Sequence, residues 1–318
     1  MSRLVGIVLL LPLTAALDAT PAHWIYSEVP GEPSDAAAQS ATWGAASSTC
    51  IDGLAQSPIN IETSKVAPTN VLGDAISLPN LAGTFVPTHS GHAFQLTATP
   101  DGKPRTNQIG DLQYQFAQVH WHTPSENTID GEHAVMEGHF VHQRPSGGAT
   151  YLAVVAVLYD LSTQCNTDLD TFWSAFPMDT GPAKQPVNVS LGGMVVPLLT
   201  SGYYQWTGSL TTPPCTEGVQ WYLIKQRQDV CQRQIDRLKL GLKQAQGGVD
   251  INNRVTQPLN NRVVAETPGG QFAPTTLFGA LEGLIAFGLA AWSVLLYCKR
   301  TNAQHTTDST VTPYVLHP

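Results

Sequence analysis

Two histidines separated by a single residue, His120 and His122, carry the clearest chemical signal in the chain, and His139 follows on the next predicted strand. Side chains at positions i and i+2 of a β-strand point to the same face of the sheet. A histidine from a neighbouring antiparallel strand then completes a site of three ring nitrogens with one open position. Three protein ligands and an open fourth position are typical of catalytic zinc sites, whereas structural zinc sites are closed by four.

The strands that carry these histidines also carry hydrogen-bond acceptors on the same faces. The predicted strand Tyr114–His122 places Gln118 beside its histidines, and the predicted strand Val135–Val141 places Glu137 beside His139. A metal-bound histidine usually donates its second ring N–H to such an oxygen, which fixes the tautomer. A lone histidine is more often a core or surface residue than a ligand, and the pattern alone does not separate the two interpretations.

The rest of the pattern indicates mostly β-structure. Tyr151–Tyr159 and Val219–Ile224 predict further strands, and apolar positions near helical spacing predict a helix over Gln226–Leu242. We therefore predict an α+β fold: a single domain around a large, mostly antiparallel twisted β-sheet with peripheral short helices, plus one C-terminal transmembrane helix.

Charge excludes one class of partner. The 318 residues carry a formal net charge of −8, and 42% of them are hydrophobic, which is ample for a large core. A nucleic-acid partner would require a basic surface patch, so we predict no nucleic-acid binding.

The N-terminal end has the pattern of a secretory signal peptide. Arg3 precedes the short apolar run Leu4–Leu13, and small residues follow it. We predict a signal peptide over residues 1–19 and an external domain over residues 20–275, the alternative for the first segment being a buried N-terminal helix.

The C-terminal end has the pattern of a membrane span. Leu277–Tyr297 is apolar apart from Glu282, and Lys299 follows as a positive-inside signal. We predict a transmembrane helix over residues 276–298 and a cytoplasmic tail over residues 299–318. Gly279 and Gly283 form a small-xxx-small pair that predicts a homodimer. The predicted location is the plasma membrane, reached through the secretory pathway, with the large domain outside the cell.

Cysteine content and a sequon fit that location. Five cysteines suit an oxidising compartment, and Asn188-Val189-Ser190 is a potential N-glycosylation site. Cys165 and Cys231 are available to form a bridge, but cysteine counting leaves their pairing open.

Longer motifs identify a resemblance. In order, the chain carries Gln56-Ser57-Pro58-Ile59-Asn60-Ile61, Gly91-His92-Ala93-Phe94, Gln118-Val119-His120-Trp121-His122, Ser125-Glu126-Asn127, Glu137-Gly138-His139-Phe140-Val141-His142, Ser209-Leu210-Thr211-Thr212-Pro213-Pro214-Cys215, Asn252-Asn253-Arg254 and Gln257-Pro258-Leu259-Asn260-Asn261-Arg262. From about Trp24 to Arg262, this order and spacing resembles the α-class carbonic anhydrases.

The resemblance implies a function and a metal. His120, His122 and His139 would bind Zn²⁺, with water as the fourth ligand. The activated water would attack carbon dioxide and release bicarbonate, with ester hydrolysis as a side activity. Thr211 would orient the nucleophile by donating a hydrogen bond to Glu126, a positioning effect rather than acid–base chemistry.

The resemblance also assigns the remaining site residues. His92 would shuttle protons, since an imidazole titrates near neutral pH, while Tyr26 and Gln95 would line the water-filled side of the cleft. Cys50 and Cys215 would form a disulfide. An apolar wall for carbon dioxide, extended by Thr212 next to Thr211, would comprise Val141, Val154, Leu210, Val219 and Trp221.

Departures and alternatives complete the prediction. Ser90 and Gln95 stand where family members usually carry asparagine, and Asn127 where animal members often carry histidine; we expect the latter to have little effect on mechanism. The main alternative is a catalytically inactive family member serving as a binding or adhesion module. A zinc hydrolase of another family would require a motif such as H-E-x-x-H, which the sequence lacks.

Overall fold

The structure, a computed structural model, describes residues 24, 26, 42–68, 75–100 and 105–269. Its strands are β1 (Asn60–Ile61), β2 (Ala67–Pro68), β3 (Ile76–Ser77), β4 (Ala82–His89), β5 (Phe94–Ala98), β6 (Thr106–Ile109), β7 (Leu112–His122), β8 (Thr128–Ile129), β9 (Glu132–His133), β10 (Met136–Ser146), β11 (Ala149–Ser162), β12 (Gly181–Pro182), β13 (Val187–Ser190), β14 (Gly202–Ser209), β15 (Glu217–Ile224), β16 (Gln228–Cys231) and β17 (Ala265–Pro268).

Helices are short and lie outside the sheets. The α-helices with defined bounds are α1 (Thr49–Asp52), α2 (Thr167–Asp170) and α3 (Gln232–Ala245), and residues 42–46 are also α-helical. The 3₁₀ helices are Thr63–Lys65, Trp173–Ala175, Gly192–Met194 and Pro197–Ser201.

One 14-stranded sheet organises the domain. Its central path runs β12-β4-β5-β7-β10-β11-β15-β14-β17-β2, with β13, β16, β6 and β3 attached at its sides. Antiparallel pairs dominate, but the sheet is mixed, because β11 pairs in parallel with β15 and β16, and β17 with β2. A second sheet joins β1, β8 and β9.

The predicted strands correspond closely to observed ones. β7, β11 and β15 contain three of the predicted segments, and β10 contains the fourth except for Val135, since this strand begins at Met136. The predicted helix is wrong at its start, since α3 begins at Gln232 instead of Gln226. The preceding residues form β16, which pairs with the end of β11. Backbone hydrogen bonds to β11 hold this short segment extended. The spacing of apolar residues within the segment contains no information about a strand that is distant in the sequence.

The transmembrane helix in the predicted fold class is corrected. Within the part of the chain that the structure describes, no helix is long and apolar enough to cross a membrane. The longest, α3, has 14 residues, a rise of about 21 Å against a hydrocarbon core of about 30 Å. The predicted signal peptide, the span at 276–298, the glycine pair and the tail lie outside the described residues.

The main sheet buries both faces where the histidine strands cross it. One face packs Val119, Trp121 and Phe140 into the larger core, joined by Leu238 of α3. The other face carries the histidines and a smaller apolar cluster that includes Val154 and Trp221. This alternation holds the metal-ligand candidates on a rigid surface, because side chains behind them are fully buried.

Candidate metal centre

Strand register brings the three histidines together. β7 and β10 are antiparallel with His139 opposite His120 and Glu137 opposite His122. One ring nitrogen from each histidine lies within 4.8 Å of the others. His122 and His139 are buried, and His120 is partly exposed to the cavity. The arrangement predicted from the His-x-His spacing is therefore present.

Each histidine is oriented by an oxygen that accepts from its other ring nitrogen. His120 Nδ1 donates to Gln118 Oε1 at 2.8 Å, and His139 Nε2 donates to Glu137 Oε1 at 2.9 Å. His122 Nδ1 donates to the carbonyl oxygen of Asn252 at 2.6 Å. These bonds leave Nε2 of His120, Nε2 of His122 and Nδ1 of His139 as the converging atoms.

The donor set fits Zn²⁺. Burial lowers the pKa of His120 and His122 well below the ordinary value, and the neighbouring histidine His139 lowers both further, so these rings are neutral and have free lone pairs. The converging Nε2 of His122 is buried and has no hydrogen-bond partner among the described residues. An unpaired buried nitrogen costs free energy unless a ligand fills its place. Three neutral imidazoles are a preferred zinc donor set.

Asn252 is a site residue that the sequence motifs quoted but did not explain. Besides its carbonyl, its side chain accepts from Thr123 N at 2.7 Å and donates to the carbonyl oxygens of Trp121 and His92 at 2.9 and 2.8 Å. One asparagine thus fixes the end of β7 and the His92 loop. Its key acceptor is a backbone carbonyl, which any residue type provides, so residue type gave no signal for it.

Glu126 lies beside the histidines and is fully buried. Its Oε2 is 3.5 Å from His122 Nε2, and its Oε1 accepts from Arg254 N at 2.9 Å. Burial raises the pKa of the Glu126 carboxyl well above its usual range, while the hydrogen bond from the Thr211 side chain is the largest opposing cause. The structure therefore brings together the pair that the resemblance matched.

Glu137 holds the segment that carries Glu126. Its Oε2 accepts from the backbone N–H groups of Glu126 and Asn127, both at 2.8 Å. Its Oε1 accepts from Asn127 Nδ2 at 2.6 Å as well as from His139. One carboxylate therefore orients a ligand histidine and the Glu126 backbone together, because charge-assisted bonds of this kind are strong.

Arg254 is a buried cation that sequence reasoning missed. Its guanidinium donates to Gln56 Oε1 at 2.9 Å and to the carbonyl oxygens of Ser57 and Cys50, both at 2.7 Å. Burial lowers the pKa of Arg254 to about 10, so the group stays charged at neutral pH. Its nearest signal was the motif Asn252-Asn253-Arg254, which names the residue but not its burial.

The described residues contain two disulfides. Cys50 is bonded to Cys215, which confirms the pairing implied by the resemblance, and Cys165 is bonded to Cys231, which cysteine counting had left open. The first bond ties α1, which contains Cys50, to the loop that carries Thr211. Gln56 reinforces this connection, since its Nε2 donates to the carbonyl oxygen of Cys215 at 3.1 Å.

The histidines open into a cavity of about 620 Å³ with one polar and one apolar side. The polar side includes Tyr26, His92 and Gln95; His89, which the motifs did not assign, also lines the cavity. The predicted residues that line the apolar side and the entrance are Val141, Val154, Leu210, Thr211, Thr212 and Trp221.

Three predicted residues have notable positions. Val219 is buried in the smaller apolar cluster but does not line the cavity. The His92 ring stacks on Trp24, with centroids 3.9 Å apart and an interplanar angle of 20°. Asn188 is exposed on β13, where a sugar would meet solvent; its modification remains a prediction.

Three converging imidazoles on a large mixed sheet lie beside a buried Glu–Thr pair and form a candidate metal centre with an open position for a substrate. Over residues 38–268 the chain matches the family model of the eukaryotic-type carbonic anhydrases. It is 32% identical over 263 residues to a carbonic anhydrase from Pectobacterium carotovorum, covering 81% of this chain and 97% of that relative. It is 34% identical over 276 residues to one from Neisseria gonorrhoeae, covering 83% and 96%.

Solved structures agree with the sequence comparison. The chain is similar to the α-carbonic anhydrase of Photobacterium profundum, with a TM-score of 0.59, 30% identity and coverage of 76% of this chain and 100% of that one. The chain belongs to the α-carbonic anhydrase family.

Proposed function

We propose that this domain interconverts carbon dioxide and bicarbonate with Zn²⁺ held by His120, His122 and His139. The observation that carries the proposal is the convergence of the three ring nitrogens next to the buried pair of Glu126 and Thr211. When bound, Zn²⁺ supplies Lewis acidity that brings the pKa of water into the neutral range, an effect for which carbonic anhydrase is itself the standard example.

Thr211 and Glu126 orient the nucleophile. Because the backbone N–H of Arg254 fixes Glu126 Oε1, the Glu126 carboxyl accepts a hydrogen bond from the Thr211 hydroxyl in a defined direction. The Thr211 oxygen can then only accept a hydrogen bond from a water or hydroxide in the cavity. That bond aims a lone pair of the water or hydroxide oxygen at the substrate. Holding reactants in one geometry lowers the activation barrier without any proton transfer by these two residues.

The apolar side of the cavity suits carbon dioxide. Val141, Val154 and Trp221 line it next to the histidines. A small substrate with no net charge and few hydrogen-bonding groups binds best where water is excluded. The product is an anion, which this wall does not stabilise, so bicarbonate is released toward the polar side.

His92 is placed to move protons between the cavity and solvent. It lines the polar side of the cavity near Tyr26, and its backbone is fixed by Asn252. Stacking on Trp24 supports the ring without removing it from the cavity. An imidazole titrates between pH 5 and 8, so it can accept and release a proton at neutral pH.

The decisive experiment measures carbon dioxide hydration and zinc content on the same preparation. We expect fast hydration, about one zinc per chain, and inhibition by a zinc-binding sulfonamide. His120→Ala should abolish zinc retention and hydration, whereas His133→Ala, which alters a histidine outside the centre, should preserve both. A folded, zinc-loaded but inactive parent would refute the catalytic proposal and favour a binding or adhesion module. Full zinc occupancy in His120→Ala would refute the ligand assignment.

We propose that the secretory pathway delivers the protein to the plasma membrane, with this domain outside the cytosol. Two disulfides among the described residues support this, since disulfides persist in oxidising compartments and are rare in the cytosol. Enzymatic removal of N-linked sugar from protein made in a eukaryotic host tests the route. A mobility shift that is lost in Asn188→Gln is expected; reduced thiols at Cys50 in cell-derived protein would contradict the proposal.

A further inference from the structure

A second cavity, of about 440 Å³, lies where β7, β10, β11 and β15 end near the β10–β11 turn. Arg144 and Tyr151 contribute to its lining, together with Tyr114. Arg144 follows the metal-ligand candidate His139 by five positions on β10, a distance of about 17 Å along an extended strand. The cavity is therefore separate from the candidate metal centre, and no part of the proposed reaction uses it.

A tight hairpin sets the position of Arg144. Gly147 and Gly148 have φ values of +60° and +82°, which a two-residue hairpin turn of this kind requires. The turn pairs Ser146 with Ala149 and thereby places Arg144 opposite Tyr151. The two side chains are held as cross-strand neighbours by a short, well-defined connection.

The Arg144 guanidinium is flanked by aromatic rings. Its Cζ lies 4.5 Å from the centroid of the Tyr151 ring and 5.8 Å from that of the Tyr114 ring. Tyr114 is almost fully buried, whereas Tyr151 is 47% exposed. Aromatic faces attract a cation, so the two rings hold the guanidinium in place, and its N–H donors lie along its edge.

That edge lacks an acceptor. Arg144 Nε is buried and has no hydrogen-bond partner, and Arg144 forms no ion pair with any residue in the described ranges. Asp111 lines the same cavity but is exposed and does not pair with Arg144. Because Nε is not accessible to solvent, a carboxylate in the cavity would bond the Nη atoms of the guanidinium, with two parallel charge-assisted hydrogen bonds.

We propose that this cavity is an accessory binding site for a small planar carboxylate with a flat apolar body. The carboxylate bonds the free edge of Arg144, and the flat body lies against the exposed ring of Tyr151. A Cβ built at Gly218, which also lines the cavity, would meet nothing within 4 Å, so there is open space for the body of such a ligand.

Benzoate binding to the full-length holoenzyme, measured by isothermal titration calorimetry, tests the site. The protein is first saturated with a zinc-binding sulfonamide, so that benzoate does not report on the metal. We expect one benzoate per chain with a Kd on the order of 1 mM. Benzamide, which has the same shape without the charge, should bind at least about 10-fold more weakly. No detectable benzoate binding would show that water alone satisfies Arg144 and would overturn the proposal.

Variants separate this site from nonspecific binding. Arg144→Gln should weaken benzoate binding about 10–100-fold, and Arg144→Lys, which keeps the charge but not the paired donors, about 10-fold. Asp111→Asn should tighten it about 2–5-fold by removing a like charge from the cavity. Arg227→Gln, which alters an exposed arginine paired with Asp160, should leave the Kd unchanged. Equal Kd values for the parent and both Arg144 variants, in folded protein, would overturn the assignment.

Discussion

Replacing Asn127 by leucine should destabilise the domain strongly, although it alters no proposed metal ligand. The Asn127 side chain is fully buried between β1 and the loop that carries Glu126. Its Oδ1 accepts from Ile59 N at 3.0 Å, and its Nδ2 donates to Glu137 Oε1 at 2.6 Å. Leucine has similar volume but makes neither bond, so it isolates the contribution of the hydrogen bonds.

The expected magnitude follows from the groups left behind. A buried Ile59 N–H without an acceptor costs about 1–3 kcal/mol, and a bond to the charged Glu137 contributes about 1.5–3 kcal/mol. Apolar burial of the leucine side chain recovers about 1 kcal/mol. The free energy of unfolding should therefore fall by about 3 kcal/mol. For a domain of this size, that corresponds to a melting temperature about 6–12 °C lower.

Urea unfolding of the parent and the variant, each with and without zinc, measures the change. Asn80→Leu is the control, because the exposed side chain of Asn80 donates only to the Thr106 carbonyl and its replacement should change stability by less than about 1 kcal/mol. Asn127→Asp keeps the acceptor for Ile59 but places a second carboxylate against Glu137, so it should be at least as damaging as leucine. If Asn127→Leu unfolded within 1 kcal/mol of the parent, the hydrogen-bond argument would be refuted.

Three further predictions concern other groups. His92→Ala should slow carbon dioxide hydration mainly in weak buffer and be rescued by added imidazole; equal rates in both buffers would remove His92 from the proton path. Replacing Cys50 and Cys215 together by alanine should lower the free energy of unfolding by about 3–5 kcal/mol, because the bond spans 165 positions; an unchanged melt would contradict this. Burial lowers the pKa of His142 to about 4, whereas its pKa in the unfolded chain is about 6.5. The unfolded chain therefore binds a proton at His142 first, and the free energy of unfolding falls as the pH drops from about 6.5 toward 4. Metal-free His142→Phe should therefore lose about 2 kcal/mol less than the parent between pH 7 and 5 by urea unfolding, and parallel curves would refute the assignment.

Alternation and spacing predicted the part of the site that lies on strands. Gln118 and His120 lie two positions apart on β7 and therefore share a face of the sheet. The register of β7 and β10 places His139 opposite His120. Period-two patterning is strong here because the opposite face is an apolar core, so a one-residue slip would bury the histidines and expose tryptophan. Side-chain type and strand period together were sufficient to place these residues near one another, whereas their assignment as metal ligands came from the resemblance.

Residues that act through backbone groups or distant contacts could not be predicted in this way. Asn252 holds His122 through its own carbonyl oxygen, 130 positions along the chain. Arg254 reaches Cys50 over 204 positions, and a buried arginine has no local pattern that distinguishes it from an exposed one. The resemblance placed Val219 in the cavity wall, but this residue is buried in the smaller apolar cluster and does not line the cavity. Such details depend on tertiary packing, which periodicity does not encode.

The position of Asn252 and Arg254 late in the chain has a consequence for biosynthesis. A ribosome adds residues from the N-terminus, so β7 and β10 emerge long before the carbonyl that orients His122 and the N–H that fixes Glu126. Contacts this distant in sequence form late, after loop closure over most of the domain. A nascent chain stalled before residue 252 can therefore pair its central strands but cannot complete its metal centre. The candidate metal centre therefore gains its full set of orienting contacts only when the domain is complete.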